Sequence, residues 1–242
     1  MGYIQAKNVY ILIHGTWAAD STWYRPGGVF FETLSKMIQV QDSILAFRWS
    51  GGLSCESRVQ AGNELALLLK SYPDTIKLHL IGHSHGVNVG MLAINQLTLS
   101  RPIQTFYSLG VPIYAEYAPN MNIINELYNI FSLNDWIQPI GGVCKRMYDS
   151  HPRIVNIRLT IDDHEPNHSE LCCEIVARWL LSFPKFLRVN EGSGAFLRTD
   201  PHVSLCEQNF PLIEDDVRRL ELLERNAYLI NKIYCSGFLF RK

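Results

Sequence analysis

Short runs of apolar, often β-branched residues alternate along this chain with segments in which apolar residues recur every three or four positions. The short runs predict buried β-strands, and the recurring positions predict amphipathic helices. The predicted strands are 9–13, 43–49, 78–81, 104–109, a run ending at residue 133, and 153–161. The predicted helices are 27–38, 57–70, one starting after residue 84, and 169–183. This alternation predicts an α/β fold with a mostly parallel sheet and helices on both faces.

The end of the chain follows a different pattern. Pro184 is a natural end for the alternating part, so we predict a core domain at 1–184 and a C-terminal extension at 185–242. The extension contains a predicted helix, 213–233, with apolar residues along one face. We expect this face to pack on the protein's own core, with binding of a partner as the alternative.

The composition narrows the classes of protein to consider. The 242 residues are 47% hydrophobic and 19% charged, which fits a globular chain and excludes a disordered one. A formal net charge of −1, without a basic block, argues against nucleic-acid binding. Charged residues or histidines interrupt every apolar run, so no transmembrane segment is expected.

The cysteines and the N-terminal residues indicate the cellular compartment of the protein. None of the six cysteines shows zinc-ligand spacing, and the adjacent Cys172 and Cys173 fall in a predicted helix, so we expect free thiols. The first seven residues lack the charged and apolar segments of a secretory signal. A cytoplasmic location is therefore predicted, with signal-independent secretion as the alternative.

The most informative local motif is Gly82-His83-Ser84-His85-Gly86, which joins a predicted buried strand directly to an apolar helix. A nucleophilic serine needs such a tight turn, because the turn projects its Oγ from the sheet. Small flanking residues let the strand and helix pass closely, and the helix N-terminus favours a developing negative charge. We predict that Ser84 is a nucleophile; the alternative is a purely structural turn.

A serine nucleophile needs a base and an acid that orients the base. Asp135 follows the strand that ends at Leu133, and His168 follows the strand that ends at Ile161. The carboxyl ends of parallel strands meet at one edge of a sheet, where ligands bind. The chain order serine, acid, histidine is the order expected for this architecture, so Asp135 and His168 are the predicted partners of Ser84.

The amides of Thr16 and His85 are the predicted oxyanion hole. Thr16 follows Gly15 in the loop after the first strand, where glycine permits a close backbone approach. His14 and His83 are expected to hold loops by hydrogen bonds rather than act as bases. Nearby aromatic residues are candidates for the substrate pocket, although ordinary packing explains each of them too: Trp17, Tyr114 and Trp136.

The segment from His164 to His168 matches the H-E-x-x-H pattern of zinc proteases. Zinc binding needs both histidines on one face of a continuous helix. Pro166 would break that helix at a cost of roughly 3 kcal/mol, and it disfavours helical geometry at Glu165. We therefore predict no metal site.

These residues give the chain a resemblance to the α/β-hydrolases, on the lipase and esterase side. The resemblance covers about 1–184 and rests on the loop after the first strand, the serine elbow, Asp135 and His168. There are departures: the family's first two strands are missing, a short segment replaces the cap domain, and Val87 stands where lipases usually carry glycine.

The resemblance implies a serine hydrolase that cleaves carboxylic esters of small or lipid-like acids. It implies an acyl-enzyme intermediate and no metal or organic cofactor. A catalytically silent binding module with the same fold is the alternative, since a fold alone does not establish a function.

Overall fold

The computed structural model describes residues 7–96, 101–141, 145–182, 196–200 and 203–207. Two short 3-10 turns, Ala115–Tyr117 and Ser169–Cys172, accompany the regular elements. The strands are β1 (Asn8–Ile13), β2 (Ser43–Phe47), β3 (Lys77–His83), β4 (Thr105–Leu109), β5 (Leu127–Phe131), β6 (Ile154–Ile161), β7 (Phe196–Asp200) and β8 (Val203–Glu207). The helices are α1 (Val29–Met37), α2 (Cys55–Ser71), α3 (His85–Asn95), α4 (Ile137–Ile140) and α5 (Glu174–Leu180).

The strands form one sheet in the order β2-β1-β3-β4-β5-β6-β8-β7. The first six strands in this order pair in parallel, as the sequence predicted. The chain leaves β1 to one side for β2 and then returns to the other side for β3. Ligands in α/β sheets bind where the strand order reverses, so the carboxyl ends of β1 and β3 mark the place to look for a site.

Helices cover both faces of the sheet, which confirms the predicted α/β architecture. Successive side chains of a strand point to opposite faces, and β1 shows this clearly: Ile11 packs with the cluster beneath α2 and α3, whereas Leu12 packs with the cluster beneath α1 and α5. Both side chains are fully buried. No helix in the described ranges is long and apolar enough to cross a membrane.

The helix predicted at 169–183 is wrong in one respect. The structure has a 3-10 turn, Ser169–Cys172, and then α5, because Cys173 between them takes an extended backbone with φ −82° and ψ 170°. The break turns the chain so that Leu171 is fully buried against Gly110 while α5 packs on α1. Two separate contacts with the core therefore replace one continuous helix.

Two strands beyond Pro184 were not predicted. Strand β8 pairs antiparallel with β6, and β7 pairs antiparallel with β8, so both extend the sheet at one edge. The predicted helix 213–233 lies outside the described residues. The division of the chain at Pro184 and the role of the extension therefore stay predictions.

Candidate active site

The turn between β3 and α3 is tight and strained at Ser84. Ser84 has φ 54° and ψ −135°, a strained conformation for a residue with a side chain. A Cβ on Gly82 would lie 2.8 Å from the Cα of Val87, and one on Gly86 would overlap the carbonyl oxygens of Ile13 and His14. Only glycine fits at either position, which is why the sequence carries one on each side of the turn.

The loop after β1 touches this turn. A Cβ on Gly15 would lie 2.7 Å from the Cβ of Ser84 and 3.3 Å from its Oγ. His14 fixes the loop, since its ring donates from Nδ1 to the Gly15 carbonyl at 2.8 Å and accepts at Nε2 from the Trp49 amide at 3.2 Å. This agrees with the loop-holding role expected for His14.

Thr16 follows Gly15 and His85 follows Ser84, so both residues lie at this junction. Trp17 N donates to Gly51 O at 2.9 Å and Ala18 N to Gly15 O at 3.3 Å, but among the described residues no carbonyl accepts from Thr16 N or His85 N. The two residues are joined by their side chains, Thr16 Oγ1 to His85 Nδ1, at 3.0 Å. Two backbone N–H groups that make no hydrogen bond to a described carbonyl therefore lie in the two segments that meet at Ser84.

Asp135 and His168 form a direct pair. His168 Nδ1 lies 2.7 Å from Asp135 Oδ2, and the carboxylate is fully buried. The other carboxylate oxygen, Oδ1, accepts from the amides of Ile137 and Gln138 at 3.0 and 3.1 Å, at the start of α4. These bonds fix the carboxylate so that Oδ2 is directed at the imidazole.

Gly110 places the pair next to the serine turn. It follows β4 with φ 58°, and a Cβ there would lie 2.8 Å from Asp135 Oδ2 and 3.2 Å from His168 Nδ1. The amide of Ser84 donates at 2.9 Å to the carbonyl of Leu109, which precedes Gly110. Ser84, Asp135 and His168 thus gather around the end of β4, although no hydrogen bond joins Ser84 to His168 in the described ranges.

His83 supports the segment that carries His168. Its Nε2 donates to the carbonyl of His168 at 2.9 Å, and the two rings lie 4.4 Å apart between centroids. Burial and the neighbouring His168 lower the pKa of His83 to about 3, so its ring is neutral and carries its proton on Nε2. The loop-holding role expected for His83 agrees with this geometry.

His85 links three loops through its side chain, which the sequence did not predict. Its Nδ1 accepts from Thr16, and its Nε2 lies 3.4 Å from the hydroxyl of Tyr114, which donates in turn to the carbonyl of Gly141. Burial and Arg58 lower the pKa of His85 to about 3. A neutral imidazole suits this chain of bonds, because it donates at one nitrogen and accepts at the other.

The residues of the zinc-like pattern have separate partners. His164 is half exposed, with its Nε2 4.0 Å from Glu170, while His168 contacts Asp135. The backbone from His164 to His168 is not helical. No cluster of three or more His, Cys, Asp or Glu side chains in the described parts of the chain is arranged to hold a metal ion.

The predicted pocket residues lie on loops at this end of the sheet. Trp17 follows β1 and is 79% exposed, and Trp136 follows β5 and is 39% exposed. Tyr114 follows β4 and, as described, contacts His85. The three residues thus follow three different strands at the edge where Ser84 lies, and Tyr114 is hydrogen-bonded to His85.

Buried neutral histidines predict acid lability. Burial holds the pKa of His79 at about 4 and those of His83 and His85 at about 3, below the ordinary 6.5. Below pH 6.5 the unfolded chain binds protons that the folded chain does not, so stability is complete above 6.5 and falls as the pH drops. Each histidine removes at most about 1.4 kcal/mol per pH unit in this window.

Urea unfolding of wild type and His79→Gln at pH 6.5 and 5.5 tests this. The variant should lose about 1 kcal/mol less than wild type between the two pH values, because the unfolded-state histidine is already half protonated at pH 6.5. His79→Asn, a second uncharged replacement at the same position, serves as the control and should behave as His79→Gln does. An equal loss in His79→Gln and wild type would show that His79 takes up a proton as readily in the folded state as in the unfolded state.

Comparison with known proteins finds structural similarity at low sequence identity. No family model and no curated protein matches the sequence. Two crystal structures of the esterase Pf2001 from Pyrococcus furiosus are similar, at 14% identity: TM-scores are 0.43 and 0.47, covering 77% and 76% of this chain and 79% and 82% of theirs. A cutinase-like protein from Cryptococcus sp. has 14% identity and a TM-score of 0.29, covering 62% of this chain and 67% of its own. Because these TM-scores are below 0.5, the function has to be argued from the site itself.

Proposed function

We propose that the protein is a serine hydrolase that cleaves carboxylic esters, with Ser84, His168 and Asp135 as its catalytic triad. One observation carries the proposal: the buried Asp135 carboxylate lies 2.7 Å from His168 at the sheet edge where the strained Ser84 is held. A buried carboxylate on a histidine, beside a serine in a strained turn, is the arrangement that activates a hydroxyl for acyl transfer.

In this mechanism Ser84 Oγ attacks the ester carbonyl while His168 Nε2 takes its proton. The imidazolium that forms keeps its proton on Nδ1 and donates it in a hydrogen bond to Asp135, which holds the ring in the required tautomer and stabilises its charge. The protonated His168 then delivers its proton to the departing alcohol. Water, deprotonated by His168, cleaves the acyl-enzyme and restores Ser84.

The oxyanion of each tetrahedral intermediate is held by the amides of Thr16 and His85. Two observations support this role. Gly15 lies against Ser84, and neither amide donates to a backbone carbonyl among the described residues. The bond between Thr16 Oγ1 and His85 Nδ1 holds the two donors at a fixed separation before substrate arrives. Such preorganised donors commonly contribute the largest single part of the rate enhancement.

Small or lipid-like acyl groups are the substrates that we propose, with Trp17, Tyr114 and Trp136 as apolar contacts. The segment after β4, from Val111 to Asn122, holds only one 3-10 turn, and Val111 and Tyr117 are buried in the core. This segment therefore packs down on the domain and is too short to form a large lid over a deep acyl groove.

Short and medium acyl esters should accordingly be hydrolysed faster than long-chain triglycerides. A series of p-nitrophenyl esters of increasing chain length, with emulsified triglycerides and phospholipids, measures kcat/KM for each substrate. The same substrate tested below and above its solubility limit is the control. A strong rise in rate at the emulsion interface would contradict the absence of a lid, and no turnover of any ester would favour a silent binding module.

A further inference from the structure

The loop that carries Asp135 is held by a buried cation. Arg146 is 4% exposed, and its Nη1 donates to the carbonyls of Ser132 at 2.9 Å and of Asp135 at 2.5 Å. Its Nη2 donates to the carbonyl of Leu133 at 3.2 Å. We call residues 132–135 the acid loop. One guanidinium therefore binds three of the four backbone carbonyls of the acid loop, including that of Asp135.

The acid loop is also held by a carboxylate from the segment between β6 and His168. Glu165 Oε2 accepts from the hydroxyl of Ser132 and the amide of Leu133, both at 3.0 Å. The carbonyl of Glu165 accepts from the Asn134 side chain at 3.1 Å, and its Oε1 accepts from Arg158 Nε at 2.5 Å. Glu165 lies three residues before His168, so it ties the acid loop to the segment that carries the base.

The two groups match the polarity of the loop. The acid loop presents carbonyl oxygens to the guanidinium and donors to the carboxylate, which is how a charged group of either sign is best satisfied when buried. The backbone carbonyl of Asp135 is bound to Arg146, and its Oδ1 is bound to the amides of Ile137 and Gln138. Only Oδ2 is directed at His168.

We propose that Arg146 and Glu165 are positioning residues that clamp the acid loop and hold Asp135 against His168. The inference rests on the proposed function for its kinetic consequence, but the clamp itself acts on a contact between two side chains. The effect of Arg146 and Glu165 passes through the position of Asp135, because a misplacement of about 1 Å in a catalytic group can cost about 10²-fold in rate.

Three variants and one matched control test the clamp. Arg146→Met removes the guanidinium, Arg146→Lys keeps the charge, and Glu165→Gln is isosteric but cannot accept from Ser132, Leu133 and Arg158 together. The control is Arg101→Met: Arg101 is also a largely buried arginine that donates to backbone carbonyls, those of Leu69 and Tyr72, away from the proposed site.

Two readouts separate positioning from stability. The first is kcat and KM on p-nitrophenyl butyrate, measured on folded protein at a temperature below each variant's Tm. The second is the ring 15N spectrum of His168, identified by its loss in His168→Ala, which reports the Nδ1 hydrogen bond whether or not the protein turns over an ester. Wild-type turnover tests the proposed function, and the spectrum tests the clamp independently.

Arg146→Met and Glu165→Gln should lower kcat by about 10- to 100-fold with KM little changed, and both should shift the His168 Nδ1 signal. Arg146→Lys should recover part of the rate and of the signal. Arg101→Met should lower Tm but leave both readouts at wild-type values. An unchanged His168 signal in folded Arg146→Met and Glu165→Gln, or the same kcat loss in Arg101→Met, would overturn the proposal.

Discussion

Ser84→Ala should lower kcat/KM for an ester by about 10⁴- to 10⁶-fold, the scale on which dismantled serine-hydrolase triads lose activity. The physical reason is that alanine keeps the Cβ that contacts Gly15 and the backbone of the turn, and removes only the attacking oxygen. The hydroxyl of Ser84 makes no hydrogen bond to another described residue, so its loss leaves nothing buried unsatisfied. Tm should therefore stay close to that of wild type.

The measurement is kcat/KM on one soluble ester together with Tm for each protein. Ser35→Ala is a suitable control, since Ser35 lies in α1 and its hydroxyl donates only to the carbonyl of Phe31. This control should keep full activity. Retention of more than about a tenth of wild-type activity in folded Ser84→Ala would mean that another residue is the nucleophile.

His168→Ala should lose nearly all activity, whereas His164→Ala should change the rate by less than about tenfold. The two histidines follow the same strand, but only His168 contacts the buried Asp135 and lies beside Gly110. His164 is 54% exposed at its side chain and faces Glu170 at 4.0 Å. The proposed proton transfers pass through His168 alone.

Each of these variants serves as the control for the other, because both remove an imidazole from the segment between β6 and α5. His168→Ala also removes the partner of a buried carboxylate, so its Tm should be measured and the kinetics run well below it. The reverse pattern, with His164→Ala inactive and His168→Ala active, would assign the base to His164 and exclude the triad proposed for Ser84.

The parallel part of the fold could be predicted because its strands are buried on both faces and therefore read as apolar runs in the sequence. Strands β7 and β8 could not be predicted in this way. Each is five residues long and contains a charged residue, and they follow β6 at one end of the sheet. There the pairing of β8 with β6 and of β7 with β8 decides the structure more than local propensity does. The break at Cys173 was missed because it depends on Leu171 packing against Gly110.

The serine turn could be predicted because all its requirements are local: a strand, a tight turn between glycines, and a helix. The contact of Asp135 with His168 agrees with the chain order from which both were chosen, although their catalytic roles stay predictions. Arg146 and Glu165 could not be found from sequence. An arginine among turn residues carries no signal of its own, and Glu165 attracted notice only as part of a zinc-like pattern.

The central claim is that Ser84 is an activated nucleophile, and covalent labelling tests it most directly. Wild type, Ser84→Ala and Asp135→Asn are treated with a fluorophosphonate, and the intact mass and the modified peptide are then determined. We expect a single adduct on Ser84 in wild type, no adduct in Ser84→Ala, and much slower labelling in Asp135→Asn. An unlabelled wild-type protein, or an adduct that persists in Ser84→Ala, would contradict the claim.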